Sequence, residues 1–214
     1  MRSRGGKVHL KTDPAALKAA GILLDAPPAD QKVSLRAVFG NNLPVEAEIG
    51  SGKGAFLLRR AKRRPEINLL GIEWVPAYAH YVADRALRAG LANVRVLCAD
   101  AARLFNQLPD RCLWRIHIYF PDPWPKRKHL RRRLLNARFL AHMYRVLRPG
   151  GWLGIVTDHR DYFQHIRRDL SKVPRLAVVS FPASNKAGFL VGSNFEAKYA
   201  AKGKSFYTIA AVKY

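Results

Sequence analysis

The residues densest in chemistry lie between positions 120 and 129, in the run Phe120-Pro121-Asp122-Pro123-Trp124-Pro125-Lys126-Arg127-Lys128-His129. Prolines on both sides of Asp122 restrict the backbone to extended or turn dihedrals, so its carboxylate is held in place without a surrounding helix. Trp124 offers a flat face on which a base can stack. Read alone, the same stretch is a rigid turn around a buried tryptophan. A second group is Glu48-Ile49-Gly50-Ser51-Gly52-Lys53-Gly54. Gly50, Gly52 and Gly54 permit a sharp turn and a close approach of backbone to ligand. Their spacing is G-x-G-x-G, not the G-x-G-x-x-G of dinucleotide sites, and Ala47 stands where a P-loop needs its first glycine. A phosphate cradle is therefore disfavoured.

Two further acids give the glycines a context. Glu73 follows them by about 20 residues, where a carboxylate can take both hydroxyls of a ribose. Asp100 follows the next apolar run. With Glu48, which can meet a cation or an amine, an acid stands at the carboxyl end of each of three successive strand candidates. Ligands of open α/β sheets bind outside those ends. A positively charged, adenosine-containing cofactor without a pyrophosphate suits the set, and S-adenosylmethionine is such a molecule. No metal is expected. His9, His80, His117, His129, His142, His159 and His165 show no HExxH or paired spacing.

The elements that must position these residues are legible from Val45 onward. Apolar runs alternate with helical patterns, as in a parallel sheet with crossover helices. The strand candidates are Val45–Ile49, Asn68–Glu73, Val94–Cys98, Trp114–Phe120, Trp152–Thr157, Leu176–Phe181 and Ser205–Val212, seven in all. The last two have no helical pattern between them, and the Gly-, Ser- and Asn-containing connection 182–194 predicts that they pair antiparallel. Pro76 and Gly90 bracket one helix, and Pro149-Gly150-Gly151 ends another. A helix beginning near Arg131 is expected to set Arg131, Arg138 and Arg145 on one face, with Leu135, Phe139, Met143 and Val146 toward the core. Residues 1–44 read as a basic arm holding one short helix, Ala15–Ala20, capped by Asp13 and closed by Gly21. Residues 45–214 read as the catalytic domain.

Charge indicates the partner. Thirty-eight Lys and Arg stand against fifteen Asp and Glu, a net charge of +23, and such an excess favours polyanions. No acidic residue separates Asp122 from Asp158, an interval holding Lys126, Arg127, Lys128, Arg131, Arg132 and Arg133. Arg59, Arg60, Lys62, Arg63 and Arg64 form a second cluster. Clusters on both sides of one site point to RNA. About half the residues, 49%, are hydrophobic, which excludes a wholly disordered chain. There is no apolar run long enough to span a bilayer. The basic start MRSRGGKVHLKTD lacks a leader's apolar stretch, and Cys98 and Cys112 read as packed, reduced thiols. A cytoplasmic protein is expected, without a membrane partner.

EIGSGKG, GIE at Gly71–Glu73, Asp100-Ala101, FPDPWPKRKH, the arginines after it, Thr157-Asp158 and SNFE at Ser193–Glu196 occur in an order that resembles the bacterial tRNA (guanine-N7)-methyltransferases. The resemblance runs from about Val45 to Tyr207. The FPDPW motif with its basic run is the specific part of it. It implies a Rossmann-like class I methyltransferase fold, α/β, with helices on both faces of a mostly parallel seven-stranded sheet and an antiparallel last strand. It implies that Glu48, Glu73, Asp100, Ala101, Asp122 and the glycines surround S-adenosylmethionine, and that Asp122 is the catalytic residue. Lys126, Asp158, Ser193, Asn194, Phe195 and Glu196 would contact tRNA, with Lys128, His129, Arg131, Arg132 and Arg133 along its path. The target would be a variable-loop guanosine, and the enzyme a monomer or homodimer needing no other protein. Ser193 departs from an expected Thr but keeps the hydroxyl. Asp122-Pro123-Trp124 lacks the double proline of enzymes that methylate exocyclic amines. Methylation of another RNA base atom and a non-catalytic RNA-binding module remain the alternatives, with a nicotinamide oxidoreductase last.

Overall fold

The computed structural model describes residues 8–183 and 190–214. Arg2, Arg4 and Lys7 of the basic arm lie outside the described residues. In chain order the elements are α1 (Pro14–Ala19), β1 (Leu23–Asp25), α2 (Leu35–Phe39), β2 (Val45–Ile49), α3 (Ala55–Arg63), β3 (Asn68–Glu73), α4 (Pro76–Arg88), β4 (Val94–Cys98), α5 (Ala101–Gln107) and β5 (Leu113–Tyr119). A 3-10 turn (Arg127–Arg132) then leads to α6 (Ala137–Val146), β6 (Leu147–Thr157), α7 (Arg160–Leu170), β7 (Leu176–Val179), α8 (Asn194–Ala200) and β8 (Tyr207–Lys213).

All eight strands form one sheet in the order β1-β4-β3-β2-β5-β6-β8-β7. Strands β1 to β6 are parallel, while β8 runs antiparallel to both β6 and β7. β2 and β3 are buried along their whole length, as expected of central strands covered on both faces. On one face α5, α6 and α7 close a core built on Ala47, Ile49, Leu70, Ile72, Ile116 and Ile118. On the other, α1, α3 and α4 cover Leu69, Val94 and Val96.

Three sequence expectations need correction. The sheet has eight strands, not seven, because Leu23–Asp25 of the arm adds a parallel edge strand, Leu23 opposite Val96. Three residues are too few to reveal a period of two. The arginine stripe does not share a helix. Arg131 sits in the 3-10 turn, α6 starts only at Ala137, and Asn136 caps it by accepting from the Phe139 amide at 3.1 Å. The connection from β7 to β8 does contain a helix, α8, capped by the Ser193 hydroxyl on the Glu196 amide. Glu196 is its only buried residue, so no apolar stripe marked it.

Candidate active site

The parallel strands end along one edge, and the turns that follow β2, β3, β4 and β5 enclose a cleft of about 330 Å³. Gly50, Gly52, Glu73, Asp100, Ala101, Asp122 and Phe195 all line it. Gly50 and Gly52 adopt positive φ, at 75° and 54°, a region costly for residues with a Cβ. Gly54 also has positive φ, and a Cβ there would meet Val82 at 2.9 Å. The glycines thus serve two purposes, a tight turn and a close helix contact.

Glu73 ends β3 and ties the turn together. One carboxylate oxygen accepts from the Gly52 amide at 2.8 Å and the other from the Val75 amide at 2.9 Å. Each oxygen keeps a lone pair for a ligand hydroxyl. Asp100 caps α5, accepting from the Ala102 amide at 2.7 Å through Oδ1, and its exposed carboxylate faces the same cleft. Glu48 does not line the cleft. It lies beneath the glycine turn, 4% exposed, and its Oε2 has no hydrogen-bond partner. Burial pushes the Glu48 carboxyl well above the ordinary carboxylate range, and the nearby Glu73 charge adds to the rise. The acids that do line the cleft, Glu73, Asp100 and Asp122, suit a cationic ligand.

The wall opposite is the proline loop. Phe120 and Trp124, on either side of Asp122, both hold positive φ, at 55° and 41°. Strained non-glycine backbone persists only where its surroundings enforce it. Phe120 lies in an aromatic group with Phe206 (5.3 Å), Tyr199 (5.8 Å) and Phe195 (6.4 Å). The Arg132 guanidinium covers the Trp124 ring at 5.1 Å, and His129 meets its edge. Arg133 is buried, donates from Nε to the Pro123 carbonyl at 2.8 Å, pairs with Asp161 at 2.6 Å and lies over Tyr162. That guanidinium pins the residue next to Asp122 to α7.

Other residues of the basic run are placed differently. Lys126, Lys128 and Arg131 are exposed. Asp158 closes β6 and pairs with Lys204 at 2.6 Å. Asn194 is exposed, and Phe195, 46% exposed, reaches the cleft. Glu196 turns inward: its carboxylate accepts from the amides of Leu190, Val191 and Gly192, the last two at 2.9 and 2.6 Å. Arg59 donates to the carbonyls of the same Val191 and Gly192. Trp74, Tyr78, Tyr119 and Leu134 complete the cleft, and no local motif marks them. No group of three or more His, Cys, Asp or Glu placed to hold a metal ion occurs among the described residues, and none of their helices is long and apolar enough to cross a membrane.

Strand order, glycine turn and strand-end acids define a Rossmann-like α/β methyltransferase fold. Solved methyltransferases share it at low sequence identity. A 30S ribosomal A1408 methyltransferase from an uncultured bacterium superposes with TM-score 0.60 at 14% identity, covering 86% of this chain and 96% of the other. A SAM-dependent methyltransferase from Aquifex aeolicus superposes with TM-score 0.57 at 18% identity, covering 95% and 100%. The family described as "Putative methyltransferase" matches residues 42–209. Proteins named tRNA (guanine-N(7)-)-methyltransferase are 37% identical in Listeria monocytogenes serotype 4b, over 86% of this chain and 87% of theirs. The Geobacillus kaustophilus protein of that name is 34% identical over 87% of each chain, and that of Streptococcus pneumoniae (strain 70585) is 33% identical over 86% and 88%. The chain belongs to the bacterial tRNA (guanine-N7)-methyltransferase family.

Proposed function

We propose that this protein methylates N7 of a guanine in tRNA, taking the methyl group from S-adenosylmethionine, and that a variable-loop guanosine is the target. The observation that carries the reading is the meeting, in one cleft, of the strand-end acids Glu73 and Asp100 with the rigid Asp122 loop. Bound S-adenosylmethionine supplies an electrophilic methyl on a sulfonium. Glu73 and Asp100 offer acceptors for its hydroxyls and polar edge, Gly50 and Gly52 let the backbone lie against it, and the buried Glu48 carboxyl supports the glycine turn from below. The acid-rich surround suits a cation and repels a pyrophosphate.

Guanine N7 carries an in-plane lone pair and no proton at neutral pH, so the attacking atom needs no general base. Asp122 instead accepts from the guanine N1–H and N2–H edge and stabilises positive charge gathering on the ring. Adenine lacks that paired donor edge. The target must leave its stack to enter, and Phe195 at the cleft mouth gives its ring an apolar contact. Lys126, Lys128, Arg131 and Arg132, with Asp158 and Asn194, are assigned to the RNA, and His129 to the edge of Trp124. Arg133, Ser193 and Glu196 are assigned a positioning role, because their polar groups are taken up inside the protein. The deciding experiment is transfer of labelled methyl to bulk tRNA followed by nucleoside analysis. Label in 7-methylguanosine is the expected result; label in another nucleoside overturns the reading of Asp122.

A further inference from the structure

A second concavity lies beside the cleft, on the α3 face of the sheet. Adjacent strands set Glu46 opposite Arg115 and Arg115 opposite Trp152. Gly154 leaves room for the Trp152 indole, since a Cβ there would lie 1.9 Å from the ring. The result is a cavity of about 290 Å³ walled by Arg59, Arg60, Arg63, Arg64 and Arg115 on one side and Trp152 and Phe181 on the other.

Of the five guanidiniums, two face the one buried carboxylate there. Glu46 is held by Arg60 at 2.7 Å and by His117 at 2.9 Å, and Arg115 stands 3.6 Å away. Arg64 is taken by the exposed Glu66, and Arg59 by the carbonyls of Val191 and Gly192. Among the described residues Arg63 has neither an ion-pair nor a hydrogen-bond partner, and the buried Nε of Arg115 faces Glu46 without a hydrogen bond while its guanidinium sits between the Trp114 and Trp152 rings. Burial, and then the charge of Arg63, depress the Arg59 guanidinium. The cavity carries positive charge that its own acids do not neutralise.

We propose that this cavity binds a second, unpaired nucleotide of the RNA substrate, its phosphate against Arg63 and Arg115 and its base against Trp152 and Phe181. A planar, stacking, anionic ligand matches a site of guanidiniums and aromatic rings, and the volume suits one nucleotide, not a protein element. The two sites are contiguous. Tyr119 lines both, and the segment from Val191 in the cavity to Phe195 in the cleft spans at most about 14 Å. One strand of RNA can occupy both. The cavity thereby selects RNA in which a nucleotide near the target guanine is also unpaired.

This inference rests on tRNA being the substrate, and the test separates the two. Equilibrium binding of tRNA at several salt concentrations, S-adenosylmethionine binding and methyl transfer are measured for wild type, Arg63→Glu, Arg63→Lys and Arg36→Glu, the last reversing an exposed charge on α2 away from both sites. We expect Arg63→Glu to weaken tRNA binding about tenfold or more beyond Arg36→Glu and to reduce the salt slope by about one or two. Cofactor affinity should stay unchanged, and Arg63→Lys should restore most of the loss. Wild-type transfer to tRNA with Arg63→Glu matching Arg36→Glu overturns the cavity proposal alone. No wild-type transfer to tRNA overturns both. A cysteine at 63 carrying a short photocrosslinker should attach to a nucleotide near the methylated guanosine, and attachment confined to helical stems counts against the proposal.

Discussion

Asp122 has no helix to hold it and is exposed, so its position comes from the torsions around it and from Arg133. This makes the pair separable by experiment. Asp122→Asn keeps the size and removes the charge proposed to meet the guanine edge, so turnover should fall by roughly 100-fold or more, with S-adenosylmethionine affinity changed only a few-fold. Calorimetry and single-turnover transfer check both; an equal loss in each would sink the assignment. Arg133→Met should lower kcat for a different reason, by releasing the Pro123 carbonyl and the Asp161 carboxylate. As a positioning residue it should leave cofactor affinity alone, with kcat reduced more than the KM for tRNA. Asp122 was readable in the sequence because prolines and an adjacent tryptophan are uncommon company for an acid. Arg133 was not, since a run of arginines does not say which guanidinium turns inward. Glu196 was hidden likewise: only the fold reveals three backbone amides converging on it.

At the scale of elements, strand and helix periodicity recovered β2 to β8 within a few residues, because buried parallel strands are written as unbroken apolar runs. It failed where an element is short or is held by polar contacts, as in β1 and α8. The arm is therefore more than a tail. Leu17 of α1 is fully buried among Ala79, Val82 and Ala83 of α4, so Leu17→Ala should cost about 2–5 kcal/mol, read by thermal or denaturant unfolding. A loss below about 0.5 kcal/mol would mean that the arm is a solvated appendage. Strand β2 is joined to α3 and β5 through Glu46. Burial alone would raise the Glu46 carboxyl, but hydrogen bonds from Arg60 and His117 hold it at about 2, against an ordinary 4.5. His117, kept neutral by burial, donates from Nε2 to Glu46 and accepts at Nδ1 from the Tyr119 hydroxyl at 2.7 Å. Because the folded pKa is depressed, this stabilisation is complete above about pH 4.5 and is lost as pH falls toward 2. It amounts to ~3 kcal/mol. Glu46→Gln should destabilise the protein at neutral pH and flatten its acid-unfolding limb over that window.

Across the whole molecule, a net charge of +23 makes binding of a polyanion an exchange of counterions. Raising monovalent salt from 50 to 200 mM should weaken tRNA binding by about 100-fold, which is what roughly four released counterions give, while S-adenosylmethionine affinity stays nearly constant. A salt-insensitive tRNA affinity would show that the surface charge serves another partner. Both cysteines are poor nucleophiles in the folded state. Burial pushes the Cys112 thiol up to about 12, and raises Cys98 as well, which favours the protonated thiol over the thiolate. The position of β8, between β6 and β7, makes this end of the sheet depend on the last strand of the chain. Residues 45–122 already contain every strand and turn of the cofactor end, whereas α8 and its Phe195 lie between β7 and the strand β7 must pair with. A growing chain can therefore close its cofactor end while β7 still has no strand to lie against. Phe195 therefore joins the cleft last, after the turns that carry Glu73, Asp100 and Asp122 are already in place.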